Sequence, residues 1–299
     1  MTVSTATSPV VTSFGTRTAR SSVPLSVIVP VRNEAHQIER CLRSVSWADE
    51  VFVVDSQSTD NTNGIAEMLG ATVVQFRYSG SWPKKKGWAL ENLPFRNDWV
   101  LLLDADEVMP PEAETEIRAL VSARGSGIKG YWINRRFFFM GRWLRHAYYP
   151  NWNVRLFLHR FGRFERLTSA DTNSGDVEIH EHVLVDGPTA KLRCEMEHFA
   201  FPTVSAFVEK HNRYSSWEAH VALAPTMSTA RPGSIRWRSW MRRWMTWLPF
   251  RPLLRFLYVY IWQRGFLDGL AGYYFARLHG CYELLSVAKT YELRSQKRS

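Results

Sequence analysis

The chain has 299 residues, of which 45% are hydrophobic and 22% charged, so it is long and apolar enough to form a globular core. Its three cysteines are far apart and show no CxxC or metal-finger spacing, which excludes a disulfide framework and indicates a reducing compartment. The net charge of +10 is unevenly placed, because residues 231–299 hold 13 basic and three acidic residues while the preceding part is balanced.

Residues 1–22 are rich in Ser and Thr and lack the contiguous apolar core of a secretory signal, so we expect a disordered leader. Strand-like runs and helix-like patterns then alternate four times. The predicted strands are 25–30, 51–54, 72–76 and 99–103, and helical spacing begins near residues 38, 65, 85 and 112. The fourth run is continuously apolar, as in a central strand covered on both faces. This order predicts an open parallel sheet.

The pattern changes after Gly130. Residues 131–139 and 154–158 are strand-like and indicate a mixed sheet, and helical spacing returns from Phe201. We therefore expect a main domain at about 24–220, a Pro- and Gly-containing linker at 221–235, and a basic, aromatic-rich helical region at 236–292. No run of about 18 uncharged apolar residues occurs, so a simple transmembrane helix is not expected.

Three polar clusters follow predicted strands, at 30–34, 55–60 and 104–107. Ligands of open α/β sheets bind beyond the carboxyl ends of the strands, so these clusters predict a shared site. Asp and Ser also cap helices, and capping alone is the alternative reading of each cluster. The first strand is not followed by G-x-G-x-x-G, which argues against a dinucleotide-dependent oxidoreductase.

Asp104 and Asp106 form the sharpest of these signals. Two carboxylates spaced i, i+2 at a strand end can point toward one site and hold a hard divalent cation such as Mg²⁺, which commonly bridges phosphates. The alternative is an acidic first turn that favours a helix dipole. Because a buried strand leads directly into the pair, we favour the hypothesis that the two carboxylates bind a metal ion.

Six segments together resemble glycosyltransferase family 2. They are 26–34 (SVIVPVRNE), 53–60 (VVDSQSTD), 103–107 (LDADE), 149–157 (YPNWNVRLF), 180–182 (HEH) and 265–269 (GFLDG). The likeness extends to bacterial enzymes that build lipopolysaccharide cores and exopolysaccharides. It implies a GT-A-like α/β fold with a mostly parallel Rossmann-type sheet, and the composition of the tail adds a C-terminal helical membrane-associating region. The stretch 164–178 is longer than in those relatives, so the acceptor loop is expected to differ.

The resemblance also implies a nucleotide pocket. Asp55 would hydrogen-bond the nucleobase, Pro30 and Glu34 would line the pocket, and Asp104 would contact the ribose and the donor side. The donor would be a nucleotide diphosphate sugar. Lys85 and Lys86 lie at a predicted helix start, where positive charge interacts unfavourably with the helix dipole. A bound anion would offset this unfavourable interaction, so one of the two lysines would bind a donor or acceptor phosphate.

Three further residues complete the implied site. Asp106 would ligate Mg²⁺ or Mn²⁺, and His198 is a candidate second metal or phosphate ligand, although a core histidine beside two phenylalanines is equally ordinary. Glu181 matches the family's catalytic carboxylate, the base that an inverting transfer of a hexose requires. Spacing alone does not decide the role of Glu181. On a strand it would face away from its flanking histidines, and it could equally be a solvent-exposed residue of an edge strand.

The basic C-terminal part interleaves tryptophans and arginines at helical spacing between residues 236 and 255. Amphipathic helices of this composition lie in the membrane interface, and the apolar run 256–263 is too short to span a bilayer. We expect a peripheral or monotopic protein on the cytoplasmic face of a bacterial inner membrane, with a lipid-linked saccharide acceptor and an anionic membrane surface as partners. The alternatives are a helical subdomain packed on the core, a nucleotidyltransferase, and a nucleic-acid-binding tail that stacks aromatic residues on single strands.

Overall fold

The computed structural model describes residues 22–80, 83–123, 126–165, 182–223 and 250–296. A nine-stranded sheet has the order β3-β2-β1-β4-β8-β6-β11-β5, with β7 paired to β6. Its strands are β1 (Val23–Val31), β2 (Ala48–Asp55), β3 (Thr72–Gln75), β4 (Trp99–Leu102), β5 (Glu107–Val108), β6 (Gly130–Phe139), β7 (Arg142–Trp143), β8 (Trp152–Leu158) and β11 (Thr189–His198). Strands β9 (Gly162–Phe164) and β10 (Val183–Val185) form a separate antiparallel pair.

The first four strands are parallel, as the alternating pattern predicted. Strand β1 is central and almost fully buried, because Val27 and Val29 pack in one apolar cluster while Ile28 packs in another on the opposite face. The connecting helices are α1 (Ile38–Ser44), α2 (Thr62–Met68) and α3 (Lys85–Asn92), followed by α4 (Glu112–Ser122) after β5. The carboxyl ends of β1, β2 and β4 therefore meet at one edge.

The second half of the sheet is mixed. Strand β8 is antiparallel to both β4 and β6, β11 is parallel to β6, and the short β5 pairs antiparallel with the end of β11. In that last pair His198 lies opposite Glu107. The end of β11 is thereby brought to the acidic cluster that follows β4.

The C-terminal part is helical. Helix α5 (Val204–Leu223) packs on α7 (Gly269–Gln296), and α7 also packs on α6 (Arg251–Leu257). A π-helical turn at Tyr258–Trp262 and a 3₁₀ turn at Gly265–Asp268 join α6 to α7. We call this unit, residues 250–296, the C-terminal hairpin. No helix in the described ranges is long and apolar enough to cross a membrane.

Glycines allow close packing within the hairpin. A Cβ on Gly272 would lie 2.0 Å from the carbonyl oxygen of Gly265, and one on Gly265 would lie 2.7 Å from that of Val259. Gly269 has another role, because a Cβ there would meet nothing within 4 Å and the residue adopts a φ of +66°. Its lack of a side chain serves the turn into α7.

Helix α5 ends at Leu223, so residues 221–223 of the predicted linker are helical. The sequence has no helix breaker before Pro225, which explains the extension. The predicted leader up to residue 21, the rest of the linker, the Trp/Arg segment up to residue 249, and Glu181 lie outside the described residues.

Candidate active site

The loops after β1 and β2 are locked together. The Asn33 backbone N–H donates to Ser58 Oγ at 2.8 Å, and the Thr59 N–H donates to Asn33 Oδ1 at 2.7 Å. Asn33 adopts a φ of +57°, a conformation that Asn tolerates better than most residues. The Glu34 N–H also donates to Thr62 Oγ1 at 2.8 Å. The first two polar clusters thus form one wall at the carboxyl edge of the sheet.

Asp55 is the buried centre of this wall. Its carboxylate accepts hydrogen bonds from the Ser58 N–H at 3.0 Å, from Asn63 Nδ2 at 2.9 Å and from Gln75 Nε2 at 2.9 Å. Burial raises the pKa of Asp55, but the hydrogen bonds from Ser58, Asn63 and Gln75 outweigh it and leave the pKa lowered. Asp55 therefore fixes the loop that follows β2, and its contact with a nucleobase stays a prediction.

Pro30 lies near the end of β1 opposite Val54, Glu34 lies in the loop that follows β1, and both are partly buried. The Glu34 carboxylate accepts a hydrogen bond from Gln37 Nε2 at 2.7 Å. Burial raises the pKa of Glu34 more than the Gln37 bond lowers it. The two residues stand where the resemblance places the nucleotide pocket.

The two candidate lysines at the start of α3 have different surroundings. Lys85 is buried and its Nζ donates to the carbonyl oxygen of Val31 at 2.7 Å. Lys86 Nζ lies 2.7 Å from Asp104 Oδ1. Lys85 therefore braces the backbone at the end of β1, and Lys86 contacts Asp104 of the acidic cluster.

Asp104 is held by two cations. Besides Lys86, Arg155 Nη2 lies 2.7 Å from Asp104 Oδ2. Burial raises the pKa of Asp104, but Arg155 and Lys86 outweigh it and hold the pKa well below its usual range. The carboxylate is ionised and its orientation is fixed from both sides.

Glu107 extends this cluster and was not among the predicted site residues. Its Oε1 lies 2.6 Å from Arg155 Nη2 and 3.2 Å from Arg135 Nη1, and its Oε2 accepts the Asp104 N–H at 2.9 Å. Glu107 is fully buried, and these arginines are the partners that its carboxylate has there. Both Glu107 and Arg155 lie in segments that carried the family resemblance, which was the available signal for them.

Asp106 and His198, the two candidate metal ligands, lie close together. His198 Nε2 lies 3.5 Å from Asp106 Oδ2, and Lys210 Nζ of α5 lies 3.7 Å from the same oxygen. Burial raises the pKa of Asp106, but His198 and Lys210 outweigh it and lower the pKa. Lys210 was missed from the sequence, because one lysine on an amphipathic helix carries no sign of the surface it meets.

The Asp106–His198 pair offers ligand atoms of the kinds that bind divalent cations. Among the described residues, no group of three or more His, Cys, Asp and Glu side chains could hold a metal. However, Asp106 Oδ1 and His198 Nδ1 are both buried and have no hydrogen-bond partner in the described part of the chain. A carboxylate and an imidazole supply two ligands, and Mg²⁺ is usually held by one or two carboxylates together with substrate phosphates. This donor set suits a cation that binds together with a diphosphate.

Residues 26–175 match the sequence profile described as glycosyl transferase family 2. An uncharacterized glycosyltransferase of Rickettsia bellii is 28% identical over 275 residues, covering 91% of this chain and 87% of the relative. The lipopolysaccharide core biosynthesis glycosyltransferase LpsC of Rhizobium meliloti is 25% identical over 285 residues, covering 92% and 94%. A crystal structure of Mycobacterium tuberculosis glucosyl-3-phosphoglycerate synthase with Mn²⁺, UDP and glucosyl-3-phosphoglycerate is 27% identical, with a TM-score of 0.30, over 38% of this chain and 44% of that one.

The profile match spans the parallel strands, the wall around Asp55 and the acidic cluster, so it covers half of the chain and most of the site. The predicted GT-A-like class, a Rossmann-type α/β sheet followed by C-terminal helices, is confirmed together with the family. The family also decides against the nucleotidyltransferase alternative. This chain belongs to glycosyl transferase family 2 and is a glycosyltransferase.

Proposed function

We propose that the protein transfers a hexose, with inversion, from a nucleotide diphosphate sugar to a lipid-linked saccharide or lipopolysaccharide-core acceptor. The observation that carries this proposal is the pairing of Asp106 with His198 beside the fixed carboxylate of Asp104, at the carboxyl edge of the parallel strands. The acceptor class is supported by the similarity to LpsC, a core biosynthesis enzyme.

The nucleotide would lie against the wall formed by the loops after β1 and β2. Asp55 holds this wall in place, and Pro30 and Glu34 line it. Asp104 would face the ribose and the donor, with its orientation set by Lys86 and Arg155. Because these side chains are already ordered by contacts within the protein, little conformational entropy would be lost on binding.

Asp106 and His198 would hold a divalent cation, Mg²⁺ or Mn²⁺, which would offset the charge of the departing diphosphate. Lys210 would add a second positive charge on the same side. Burial lowers the pKa of Lys210, but Tyr214 and the Asp106 carboxylate outweigh it and raise the pKa, so the ammonium stays protonated. It can therefore donate to phosphate oxygens, but it cannot act as a base.

We assign the general base to Glu181 from its match to the family's catalytic carboxylate. Its carboxylate would take the proton from the acceptor hydroxyl as the acceptor oxygen bonds to the anomeric carbon. The bond between that carbon and the diphosphate oxygen breaks in the same step, and its electron pair leaves with the diphosphate. Attack opposite to the leaving group accounts for inversion.

We further propose a peripheral or monotopic location on the cytoplasmic face of a bacterial inner membrane. The excess of basic residues between 231 and 299 supports this location, because anionic headgroups attract such segments. A lipid-linked acceptor would be presented at the same surface.

A thermal-shift screen tests the donor proposal. The protein is heated with UDP-, GDP-, dTDP- and CMP-sugars, each with Mn²⁺ and with EDTA. A ligand at 100 times its dissociation constant stabilises the folded state by about 2.7 kcal/mol. For 299 residues, with an unfolding entropy of about 2.1 cal/mol/K per residue, that is a rise in Tm of about 4 °C. We expect one base to give such a rise, dependent on Mn²⁺ and absent in Asp106→Ala; no rise with any nucleotide sugar would refute the proposal.

A further inference from the structure

The C-terminal hairpin presents an exposed apolar surface, which we call the outer face. It combines aliphatic and aromatic side chains from α6, the π-helical turn, the 3₁₀ turn and the start of α7. Its members are Phe250, Leu253, Leu254, Leu257, Tyr258, Ile261, Trp262, Phe266, Leu267, Leu270 and Tyr274. Trp262 is 79% exposed and Leu270 is 73% exposed. A continuous apolar surface of this kind marks an interface with a membrane or another protein.

The inner side of the same hairpin is also apolar and is packed on the protein. Val259, Phe275 and Ala276 are buried in one cluster with Phe137 and Phe207. The segment from α6 through the π-helical turn is therefore hydrophobic around most of its circumference. A helix of this type needs apolar surroundings on both sides, and here one side faces outward.

The charges around the outer face indicate what covers it. Between residues 250 and 267 the chain has three arginines and no acidic residue. Arg264 and, further along, Arg277 are exposed. The next acid along the chain, Asp268, is only 4% exposed and binds backbone N–H groups of residues 145–147. Arg251 is paired with Glu283 at 2.5 Å, so the exposed positive charge comes from Arg264 and Arg277. The surface is therefore apolar with a basic margin, which complements anionic lipid headgroups above acyl chains.

A second copy of the chain fits this surface less well. A two-fold interface brings each patch against the same patch of the partner, so exposed arginines would meet arginines. No exposed carboxylate lies within residues 250–267 to pair with them. An anionic membrane meets both the apolar and the basic requirement.

We propose that the outer face of the C-terminal hairpin is a membrane-docking surface that inserts its apolar side chains into one anionic leaflet. This deepens the membrane location proposed above by assigning the contact to residues 250–274, whereas the sequence pattern pointed to the tryptophans before residue 250. The hairpin is fixed to the site through Phe275, whose ring lies 5.4 Å from that of Phe137, which in turn lies 5.3 Å from the His198 ring. Docking would hold the site close to a lipid-linked acceptor.

Vesicle sedimentation of the full chain tests this surface without any assay of transfer. The probes are vesicles of phosphatidylcholine with phosphatidylglycerol and vesicles of phosphatidylcholine alone. The test variant is Trp262→Glu/Leu270→Glu, which adds two negative charges, and the control is Met68→Glu, which adds one such charge at a side chain 77% exposed on α2. Because all three side chains are exposed, neither variant should change the melting temperature.

We expect wild type and Met68→Glu to bind the anionic vesicles equally, and the double variant to lose at least tenfold in partition coefficient. Arg264→Gln should weaken binding to anionic vesicles and leave binding to phosphatidylcholine unchanged. Wild-type-like binding by a folded double variant would overturn the proposal. A wild-type protein that does not bind vesicles would also overturn it. In that case, light scattering that shows a wild-type dimer and a monomeric double variant would assign the outer face to a dimer interface. Because this experiment measures only vesicle binding, a negative result does not bear on the donor proposal, which the thermal-shift screen tests separately.

Discussion

Replacing Arg155 by Met tests whether the buried charge cluster sets both stability and the geometry of the site. The guanidinium lies 2.7 Å from Asp104 and 2.6 Å from Glu107. Removing one partner of a buried ion pair costs about 3–5 kcal/mol. Each carboxylate would keep one other cation, Lys86 at 2.7 Å on Asp104 and Arg135 at 3.2 Å on Glu107. We therefore expect the lower end of this range, about 3 kcal/mol.

Urea unfolding measures this loss, and Arg135→Met is the matched control. Arg135 makes one longer contact with Glu107 and also donates to Asn151, so its removal should cost only about 1–2 kcal/mol. In Arg155→Met, Asp104 would lose one of its two anchors, and kcat/KM should fall on the order of 100-fold from misplacement of the donor. A variant within 1 kcal/mol of wild type, or a larger loss in Arg135→Met, would refute this reasoning.

The same cluster gives a pH dependence with a definite sign. The pKa of Asp104 is depressed in the folded protein, so its contribution to stability is fully present above the unfolded pKa of about 4. That contribution is lost as pH falls below this value toward the lower folded pKa. In Arg155→Met the stability should fall less steeply with decreasing pH than in wild type. The reason is that Arg155 lowers the pKa of Asp104 more than any other charged neighbour does.

Three substitutions test the proposed chemistry. Asp106→Ala should abolish turnover while the protein stays folded, since a metal ligand is lost; full activity of this variant in excess EDTA would contradict the metal proposal. Glu181→Gln should bind donor normally and lose about 10²–10⁴-fold in transfer; normal saturating turnover with collapsed donor affinity would make Glu181 a binding residue. Lys210→Met should weaken the nucleoside diphosphate roughly tenfold in calorimetry while the nucleoside binds unchanged; equal losses for both ligands would rule out a phosphate contact.

The parallel half of the fold could be predicted because its signals are local. Continuous apolar runs such as 99–103 mark buried strands, and polar residues at their ends mark the ligand edge. Asp104 and Asp106 were found in this way, without knowledge of any contact. Asp55 and Glu34 were placed by resemblance, and the structure puts both at the same edge.

The remaining contacts depend on pairings that the sequence does not encode locally. His198 reaches Asp106 because the end of β11 pairs with β5, about ninety residues earlier in the chain. Lys210 reaches the same carboxylate from α5, and Arg155 reaches Glu107 from β8. The choice between Lys85 and Lys86 depends on which side of one helical turn faces the cluster. Each of these contacts is set by tertiary packing, which overrides local pattern.

The C-terminal hairpin was predicted as a separate region, but its packing makes it part of the structure that supports the site. Phe275 is buried between Phe137 and Phe207, and loss of a buried Phe alone costs about 3–5 kcal/mol. Asp268 also accepts the N–H groups of residues 145–147 at 2.8–3.0 Å, which would become unpaired without it. A chain ending at residue 230 should therefore fail to give a cooperative unfolding transition, since typical domain stability is only about 5–15 kcal/mol.

Circular dichroism and urea titration of that truncated chain check this expectation, with Trp262→Glu/Leu270→Glu as the control that changes the outer face and leaves the inner packing intact. Loss of vesicle binding by the truncated chain would then report unfolding, which is why exposed point substitutions are needed to test docking. A truncated chain that unfolds cooperatively with wild-type stability would show that the hairpin is an independent anchor. The packing of Phe275 on Phe137 would then not be needed to hold His198 in place. Membrane docking of the hairpin could no longer be argued to position the active site.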